Sequence, residues 1–311
     1  MTPLFAVEAK PQPPKPFIKW IGGKTQLLKE IRKNYPQGLE TGEISTYVEP
    51  FIGGGAVFFD VMSRFADTLE HTVINDINPN IVNAYRVIRD DSETLIAELD
   101  AMRTAYVSLS PDSRAEFYYA RRDEYNEVNR KELGQNSVSR AALLIYLNKT
   151  CFNGLYRVNR AGKFNAAHGR YADPAILNAE NIKSVSAALE NTDITWGSYE
   201  NTAQWAHRDD AFVYLDPPYR PLTKTANFVS YDASVFSDKE QRDLGEFVET
   251  AHQSGAKILL SNSDPKNSDP DDNFFDELYA GKNISRVSAR RMVSTKGDGR
   301  GAVNEILVSN Y

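Results

Sequence analysis

Short apolar runs alternate with amphipathic stretches along most of the chain, and this pattern predicts strands separated by helices. Strand-like runs cover residues 46–50 and 72–75, and helical spacing of apolar residues follows over 56–65 and 80–88. The same criteria predict later elements, with strands at 193–196, 211–215, 257–261, 284–289 and 304–308 and helices at 175–189 and 237–253. Such alternation is typical of a parallel sheet covered on both faces, so we expect an α/β fold with a doubly wound sheet.

A different pattern separates the two α/β halves. Residues 92–146 are charged, rich in tyrosine and predicted to be helical, and residues 155–165 alternate as a hairpin around a turn at 159–162. Prolines make the first 16 residues an extended arm. The chain is therefore divided into an N-terminal arm, an α/β domain in two pieces and an inserted module: residues 1–16, residues 17–90 with 172–311, and residues 91–171.

Composition narrows the class of protein. With 311 residues and 41% hydrophobic content, the chain can bury a sizeable core in one large domain or two smaller ones. No apolar stretch approaches the roughly 18 residues that span a membrane. The single cysteine, Cys151, excludes a disulfide framework, fits a reducing cytoplasm and is interpreted as a structural thiol. No His, Cys or Asp spacing indicates a metal site, so we expect none.

Charge is distributed unevenly along the chain. The net charge is −6, yet three runs carry a local excess of lysine and arginine: residues 15–33, 148–172 and 282–297. The second run is also rich in asparagine and aromatic residues. Each run alone is explained by a solvated basic face, but together they predict a surface that follows phosphates on an otherwise acidic body.

Four consecutive residues, Asp216, Pro217, Pro218 and Tyr219, follow a buried strand and form what we call the 216–219 cluster. Proline fixes its own φ and restricts the residue before it, so the cluster is held rigidly. Its carboxylate and carbonyls accept hydrogen bonds from a planar amino group, and its ring stacks on the base that carries that group. The competing interpretation is a tight turn after a strand.

A glycine-rich segment, Gly53 to Gly55, follows the first predicted strand and opens a helix. Glycines let the backbone approach a nucleotide, and an acidic residue about 20 positions further on binds a ribose, which here is Asp76. The last glycine of the dinucleotide pattern is replaced by Phe58. A cofactor with a ribose but no pyrophosphate, such as S-adenosylmethionine, therefore fits better, and a glycine-rich turn without a ligand is the alternative.

Five blocks occur in one order along the chain: residues 17–24, 48–55, 75–78, 152–157 and 216–219. That order resembles the Dam-type DNA adenine methyltransferases, the α-ordered class, and the likeness extends through 225–228 and Arg290–Arg291 to Glu305. The resemblance implies an S-adenosylmethionine-dependent methyltransferase (Rossmann-like) sheet with an inserted helical and hairpin module that recognises DNA. The weakest match is residues 164–169, where Ala166-Ala167 departs from the pattern and Ala167 replaces a proline that helps to contact the target.

The activity that the resemblance implies is methyl transfer from S-adenosylmethionine to the N6 amino group of an adenine flipped out of double-stranded DNA, at GATC. The 216–219 cluster would be catalytic. The residues that would hold the cofactor are Trp20, Lys24, Glu49, Phe51, Gly53, Gly55, Asp76 and Asp216. A cytoplasmic location follows, in a bacterial nucleoid or a phage-infected cell, with no obligate protein partner.

The resemblance also assigns DNA contacts. Arg157 would read a guanine, Lys19 a second guanine, and Leu155 a thymine methyl group. Phe152, beside Asn153, would wedge into the base stack, although packing within the hairpin explains it equally well. Phosphate contacts would come from three further cations, Arg160, Lys163 and Arg170.

Other functions use similar chemistry. An exocyclic cytosine N4 methyltransferase needs the same grip on an amino group, and RNA or protein glutamine methyltransferases act on related groups. A catalytically silent DNA-binding module is a third possibility. The asparagine, arginine and aromatic content of the hairpin favours DNA over a protein substrate.

Overall fold

The computed structural model describes residues 12–127, 136–220, 236–290 and 302–311. Seven strands form one sheet in the order β3-β2-β1-β4-β5-β7-β6. The strands are β1 (Thr46–Glu49), β2 (His71–Asp76), β3 (Thr192–Trp196), β4 (Ala211–Leu215), β5 (Lys257–Ser263), β6 (Asn283–Arg290) and β7 (Ala302–Ser309). Strands β1 to β5 are parallel, and β7 runs antiparallel to both of its neighbours. The expected α/β fold with a doubly wound sheet is confirmed.

The described helices cover the sheet and build the central region. They are α1 (Leu28–Arg32), α2 (Gly38–Thr41), α3 (Ala56–Phe65), α4 (Pro79–Asp90), α5 (Ser92–Ser108), α6 (Pro111–Glu127), α7 (Val138–Thr150), α8 (Ala179–Leu189), α9 (Ala203–Ala206), α10 (Asp238–Gln253) and α11 (Phe274–Leu278). Short 3-10 turns lie at Lys24–Gln26, Phe152–Gly154, Tyr199–Thr202 and Pro265–Asn267. Helix α8 begins four residues later than predicted, where the Asn178 side chain accepts a hydrogen bond from the backbone N–H of Asn181. None of the described helices is long and apolar enough to cross a bilayer.

The central strands are buried on both faces, which explains their nearly continuous apolar sequences. All five residues of β4 are buried, and Val48 of β1 lies in register between Val73 of β2 and Val213 of β4. These valines belong to the core on one face, whereas Tyr47 and Phe212 belong to the core on the other. The period of two along each strand therefore supplies both layers of helices with a hydrophobic surface.

Helices α5, α6 and α7 form the central region and share a hydrophobic core with α3 and α4. The described helices between residues 91 and 171 thus pack onto one face of the sheet and share its hydrophobic core. Its hairpin is less regular than predicted, since only single bridges pair Val158 with Phe164 and Cys151 with His168. The turn is closed by Asn159, whose side-chain oxygen accepts hydrogen bonds from the backbone of Ala161 and Lys163 in place of a strand ladder.

The order of the strands determines where a ligand can bind. The chain proceeds outward from β1 through β2 to β3 and then returns to β4 on the other side of β1. Helices lie on opposite faces on either side of this switch point, so a crevice opens at the carboxyl ends of β1 and β4. Both the glycine-rich segment and the 216–219 cluster begin there.

Candidate active site

A pocket of about 510 Å³ lies at the carboxyl ends of β1, β2 and β4. Four separate parts of the chain line it: the loop before α1, the turn from β1 into α3, the end of β2 with the residues after it, and the segment after β4. The lining side chains and backbone include Trp20, Lys24, Glu49, Phe51, Gly53, Gly55, Asp76, Asp216, Pro217, Pro218 and Tyr219. All eight residues predicted to hold the cofactor and all four of the 216–219 cluster therefore meet in one pocket.

Lys24 is the cation at the centre of this pocket. Its ammonium lies 2.6 and 2.7 Å from the two carboxylate oxygens of Asp216 and 3.0 Å from the Tyr219 hydroxyl. The Lys24 side chain is only 3% exposed and that of Asp216 is 19% exposed. The 216–219 cluster is consequently connected by a buried ion pair to a loop almost two hundred residues earlier.

Polar side chains from β4, β5 and α10 support the 216–219 cluster. The Ser261 hydroxyl donates to Asp216 Oδ1 over 3.1 Å and also lies 2.9 Å from the hydroxyl of Tyr214. The Gln241 amide donates to the Pro218 carbonyl over 3.1 Å. Within the described residues no hydrogen bond reaches the Pro217 carbonyl. Ser261 thus orients the Asp216 carboxylate, and the Pro217 carbonyl has acceptor capacity that no described residue uses.

Burial shifts the pKa values of several ionisable side chains that line the pocket. It raises the pKa of Asp216, and the Lys24 ammonium opposes that shift. Burial also raises the pKa of Glu49 well above its ordinary value, although the Tyr47 hydroxyl, 2.6 Å from Glu49 Oε2, favours the carboxylate. Burial and the nearby Asp216 charge raise the pKa of Tyr219, so its phenol stays protonated at neutral pH. Low dielectric around these groups strengthens every charge interaction with a bound ligand.

Asp76 closes the other end of the pocket. One of its oxygens accepts the Gly53 N–H at 3.0 Å and the other accepts the Asn78 N–H at 2.8 Å. Each carboxylate oxygen has two lone pairs, so both retain an acceptor site toward the pocket. Asp76 is therefore fixed by the turn that follows β1 and is suited to bind a pair of hydroxyl groups.

The glycines of this turn serve a purpose that their spacing did not reveal. Gly53 and Gly55 have φ of +45° and +70°, a region that glycine adopts at no steric cost. A Cβ on Gly53 would lie 2.8 Å from the Trp20 ring, and one on Gly55 would clash with the Tyr85 hydroxyl. These glycines are therefore required by close packing against the protein's own aromatic side chains, and they also line the pocket, so their contact with a cofactor stays a prediction.

Trp20 joins the pocket to the hairpin of the inserted module. The Trp20 and Tyr156 rings lie 5.0 Å apart between centroids. Beneath them Asn148, 1% exposed, accepts the Lys19 N–H at 2.8 Å and donates to the carbonyls of Lys19 at 2.9 Å and Gly154 at 3.0 Å. Sequence reasoning missed Asn148 and Tyr156, because their partners are remote in sequence.

The residues expected to contact DNA are exposed or half-buried. Phe152 is 58% exposed, so packing within the hairpin does not account for it. The Arg157 guanidinium is exposed and oriented by Asn165, to whose side-chain oxygen and carbonyl it donates at 2.9 and 3.2 Å. The other predicted contacts flank these two and are exposed or half-buried: Lys19, Asn153, Leu155, Arg160, Lys163 and Arg170.

In two of the three basic runs, some of the cations are buried or form ion pairs with carboxylates of the protein. In the third run Lys282 pairs with Glu249 and Arg286 pairs with Asp264 and Asp276. In the first run Lys24 is buried in the pocket and Arg32 pairs with Asp60. Folding therefore pairs several cations of these two runs with the protein's own carboxylates, whereas Lys15, Lys19 and Lys29 of the first run are exposed. The prediction of a phosphate-following surface stays a prediction. Residues 291–297 of the third run lie outside the described residues.

The interpretation of Cys151 as a structural thiol agrees with its position in the fold. Cys151 is fully buried, and burial raises the pKa of its thiol to about 11, which fits a structural role. In the described part of the chain, no group of three or more His, Cys, Asp or Glu side chains is placed to hold a metal ion. Residues 225–228 and Arg291, which extended the family likeness, lie outside the described residues.

Comparison with known families defines the class to which this fold and pocket belong. Residues 20–293 match the family model described as D12 class N6 adenine-specific DNA methyltransferase. The chain belongs to this family and is an adenine-specific DNA methyltransferase, so DNA is its substrate and the fold is that of the S-adenosylmethionine-dependent methyltransferases. The cytosine, RNA, glutamine and catalytically silent alternatives receive no support.

Individual relatives agree with this assignment. The chain is 44% identical over 298 residues to the type II methyltransferase M.MjaIII of Methanocaldococcus jannaschii, covering 96% of this chain and 99% of that protein. It is 36% identical over 299 residues to the type II methyltransferase M1.LlaDCHI of Lactococcus lactis, covering 96% and 95%. It is also 33% identical over 294 residues to the DNA adenine methylase of Escherichia coli, covering 94% and 93%. The expected likeness to Dam-type enzymes is confirmed.

Proposed function

We propose that this protein transfers a methyl group from S-adenosylmethionine to the N6 amino group of an adenine flipped out of duplex DNA, within the sequence GATC. The observation that carries the proposal is the position of the Asp216 carboxylate and the Pro217 carbonyl in one pocket with the turn after β1. The donor and the acceptor of the methyl group can therefore bind side by side.

The pocket has the chemistry that S-adenosylmethionine requires. Asp76, with acceptor capacity on both oxygens, suits the ribose hydroxyl pair, while Trp20 and Phe51 offer aromatic surface for the adenine ring. Glu49 and Asp216 would face the cationic part of the cofactor, and the Gly53–Gly55 turn forms the wall between them. When bound, S-adenosylmethionine supplies an electrophilic methyl group on a sulfonium ion.

The 216–219 cluster addresses a specific difficulty of the reaction. The amino nitrogen of adenine is a poor nucleophile because its lone pair is delocalised into the ring. Hydrogen bonds from its two N–H groups to Asp216 and the Pro217 carbonyl favour a pyramidal nitrogen with a localised lone pair. The negative charge of Asp216 also stabilises the positive charge that develops on the nitrogen, so catalysis is positioning and electrostatics without a covalent enzyme intermediate.

Tyr219 and the inserted module would handle the DNA. A stacked base pair hides the amino lone pair, so the adenine must leave the helix, and the 37% exposed Tyr219 ring offers a surface on which it can stack. We assign residues 91–171 as the target-recognition module, residues 17–90 and 172–311 as the catalytic domain, and residues 1–16 as the arm. Arg157, Leu155 and Lys19 would read bases, with Phe152 and Asn153 filling the space left by the flipped base.

One assay tests the reaction and the site together. The enzyme is incubated with unmethylated plasmid DNA and methyl-labelled S-adenosylmethionine, and the modified nucleoside is identified by chromatography after digestion. We expect N6-methyladenine, and sequencing that detects this base maps it to GATC. Label in N4-methylcytosine overturns the proposed base, and N6-methyladenine in another sequence overturns the proposed site alone.

A further inference from the structure

The Lys24–Asp216 ion pair poses a problem for the proposed function, on which this inference rests. Both oxygens of Asp216 already accept hydrogen bonds from the Lys24 ammonium, at 2.6 and 2.7 Å. The same carboxylate is required by the amino group of the target adenine. A buried ammonium cannot simply be released, because an unpaired charge in this pocket is costly. Binding of the base therefore needs a second acceptor for Lys24.

Glu305 on β7 is a carboxylate in the right place. Its Oε2 lies 3.9 Å from Lys24 Nζ, and its side chain is 15% exposed. Oε2 itself is buried and makes no hydrogen bond within the described residues. Burial raises the pKa of Glu305, whereas the charge of Lys24 lowers it. Apart from its hydrogen bond with Tyr219, Glu305 thus has acceptor capacity at Oε2 that no described residue uses, and this oxygen lies 3.9 Å from the Lys24 ammonium.

We propose that Glu305 is a positioning residue that receives the Lys24 ammonium when the target amino group binds Asp216. The required movement is about 1 Å, from the observed 3.9 Å to the usual length of a charge-assisted hydrogen bond. Lysine suits this step because its ammonium is a compact charge on a flexible stem with three rotatable donors. No proton is transferred and no covalent bond forms or breaks. The ion pair between Lys24 and Glu305 replaces the one between Lys24 and Asp216.

Two further contacts keep the ammonium in place during this exchange. Lys24 also donates to the Gly22 carbonyl at 2.9 Å and to the Tyr219 hydroxyl at 3.0 Å. These bonds need not break when the third donor turns from Asp216 to Glu305. This exchange of ion pairs gives a reason for the burial of the Glu305 side chain beside the 216–219 cluster. It also leaves Asp216 with its full acceptor strength for the substrate.

The test replaces Glu305 by glutamine, which keeps the shape of the side chain and removes its charge. Lys24 then remains on Asp216, so we expect the single-turnover rate of methyl transfer to fall at least about tenfold. Duplexes with 2-aminopurine at the target position report entry of the base into the pocket. The affinity for S-adenosylmethionine is expected to stay within about threefold of wild type. An unchanged transfer rate overturns the proposal.

A double-mutant cycle separates a role through Lys24 from a general structural role. In a Lys24→Gln background there is no ammonium to receive, so Glu305→Gln should cause little additional loss. Equal losses in both backgrounds overturn the proposal. Asn304→Ala is the matched control, since this neighbouring side chain on β7 is exposed and points to the opposite side of the sheet.

A conservative variant guards against misfolding of the glutamine variant. Glu305→Asp keeps the charge but shortens the side chain, so its transfer rate should lie between those of wild type and Glu305→Gln. A Glu305→Asp enzyme slower than Glu305→Gln overturns the proposal, because charge would then not be the relevant property. Failure of the wild-type enzyme to methylate adenine would instead refute the proposed function, and the two failures are thus distinguished.

Discussion

The pocket and the hairpin of the inserted module present their functional side chains in opposite ways. In the pocket, Lys24 is 3% exposed and holds Asp216 in a buried ion pair. On the hairpin, Phe152 is 58% exposed and the exposed Arg157 donates hydrogen bonds to Asn165. Folding therefore fixes the reacting groups in advance, which lowers the cost of reaching the transition state. The recognition side chains keep the freedom to adjust to a DNA surface.

Asn148 and Trp20 connect these two regions. Asn148 joins the backbone of Lys19 to that of Gly154, and Trp20 packs against Tyr156 on one side and the turn at Gly53 on the other. A shift of the hairpin on binding to DNA would therefore displace Trp20 and Gly53, which line the pocket. The pocket and the hairpin differ in exposure but are connected by the contacts of Asn148 and Trp20, which we call the junction.

The largest effect is expected from a substitution of Asp216 in the pocket. Asp216→Asn keeps the shape of the side chain but removes the charge that stabilises the developing positive nitrogen. We expect the turnover number to fall by about 10²- to 10³-fold, while binding of duplex DNA persists. Turnover under saturating substrates and DNA binding by fluorescence anisotropy measure the two properties separately.

The control for this experiment is Asp193→Asn, which removes an exposed carboxylate near the amino end of β3, whereas the pocket lies at the carboxyl ends of the strands. Its turnover should equal that of wild type. Substantial residual activity in Asp216→Asn would refute the role assigned to this carboxylate.

Local sequence patterns predicted most of the fold and the centre of the site. Residues 211–215 and 56–65 were predicted at the bounds that the structure shows, because an apolar run or a helical period is contained within the segment itself. The carboxyl ends of parallel strands meet at one edge, so the 216–219 cluster, Asp76 and the glycine-rich segment could be brought together from sequence. Their common position follows from topology alone.

Partners contributed by remote segments could not be predicted in the same way. Ser261, Gln241 and Asn148 are ordinary polar residues whose neighbours in sequence give no sign of a partner. Their importance arises from hydrogen bonds that form only after the strands and helices are assembled. The same reason explains why the ion pairs of Arg32, Lys282 and Arg286 were not predicted, since their carboxylate partners come from other elements.

The next largest effect is expected from a substitution of Arg157 on the hairpin. Asn165 occupies two of the five N–H donors of Arg157, which leaves donors for a bidentate contact with guanine. Arg157→Ala should reduce discrimination at one guanine by about 1–3 kcal/mol. Rates on GATC and on singly substituted duplexes measure this change.

Arg160→Ala provides the comparison, because this arginine is exposed on the same hairpin and is assigned to phosphate. It should weaken binding to all duplexes equally and reduce the salt dependence of affinity. If Arg157→Ala instead behaves like Arg160→Ala, Arg157 is a phosphate contact.

A smaller effect tests the junction between the two regions. Asn148→Asp keeps the size of the side chain but cannot donate to the carbonyls of Lys19 and Gly154. The loss of buried hydrogen bonds should lower the free energy of unfolding by about 1–3 kcal/mol. Discrimination between duplexes should also decline, by less than in Arg157→Ala, because Lys19 loses its position relative to the hairpin.

Asn181→Asp is the matched control for the junction. Asn181 makes the same kind of paired bonds, to the backbone N–H and carbonyl of Lys15 at 3.0 and 2.9 Å, but remote from the hairpin. It should leave discrimination unchanged. A loss of discrimination in Asn181→Asp as large as in Asn148→Asp would show that the junction has no special role.

The smallest effect concerns the base of the hairpin and its dependence on pH. His168 is stacked on Tyr118 with 5.1 Å between ring centroids, and its Nε2 lies 2.8 Å from the Tyr106 hydroxyl. Burial and the charges of Arg170 and Arg114 lower the pKa of His168 below 6.5. The unfolded chain therefore binds a proton at a higher pH than the folded protein does, so stability should fall as pH decreases below about 6.5. Urea unfolding at pH 7.5 and 5.5 should show a smaller decrease for His168→Gln than for wild type, and equal decreases would mean that His168 does not contribute to acid sensitivity.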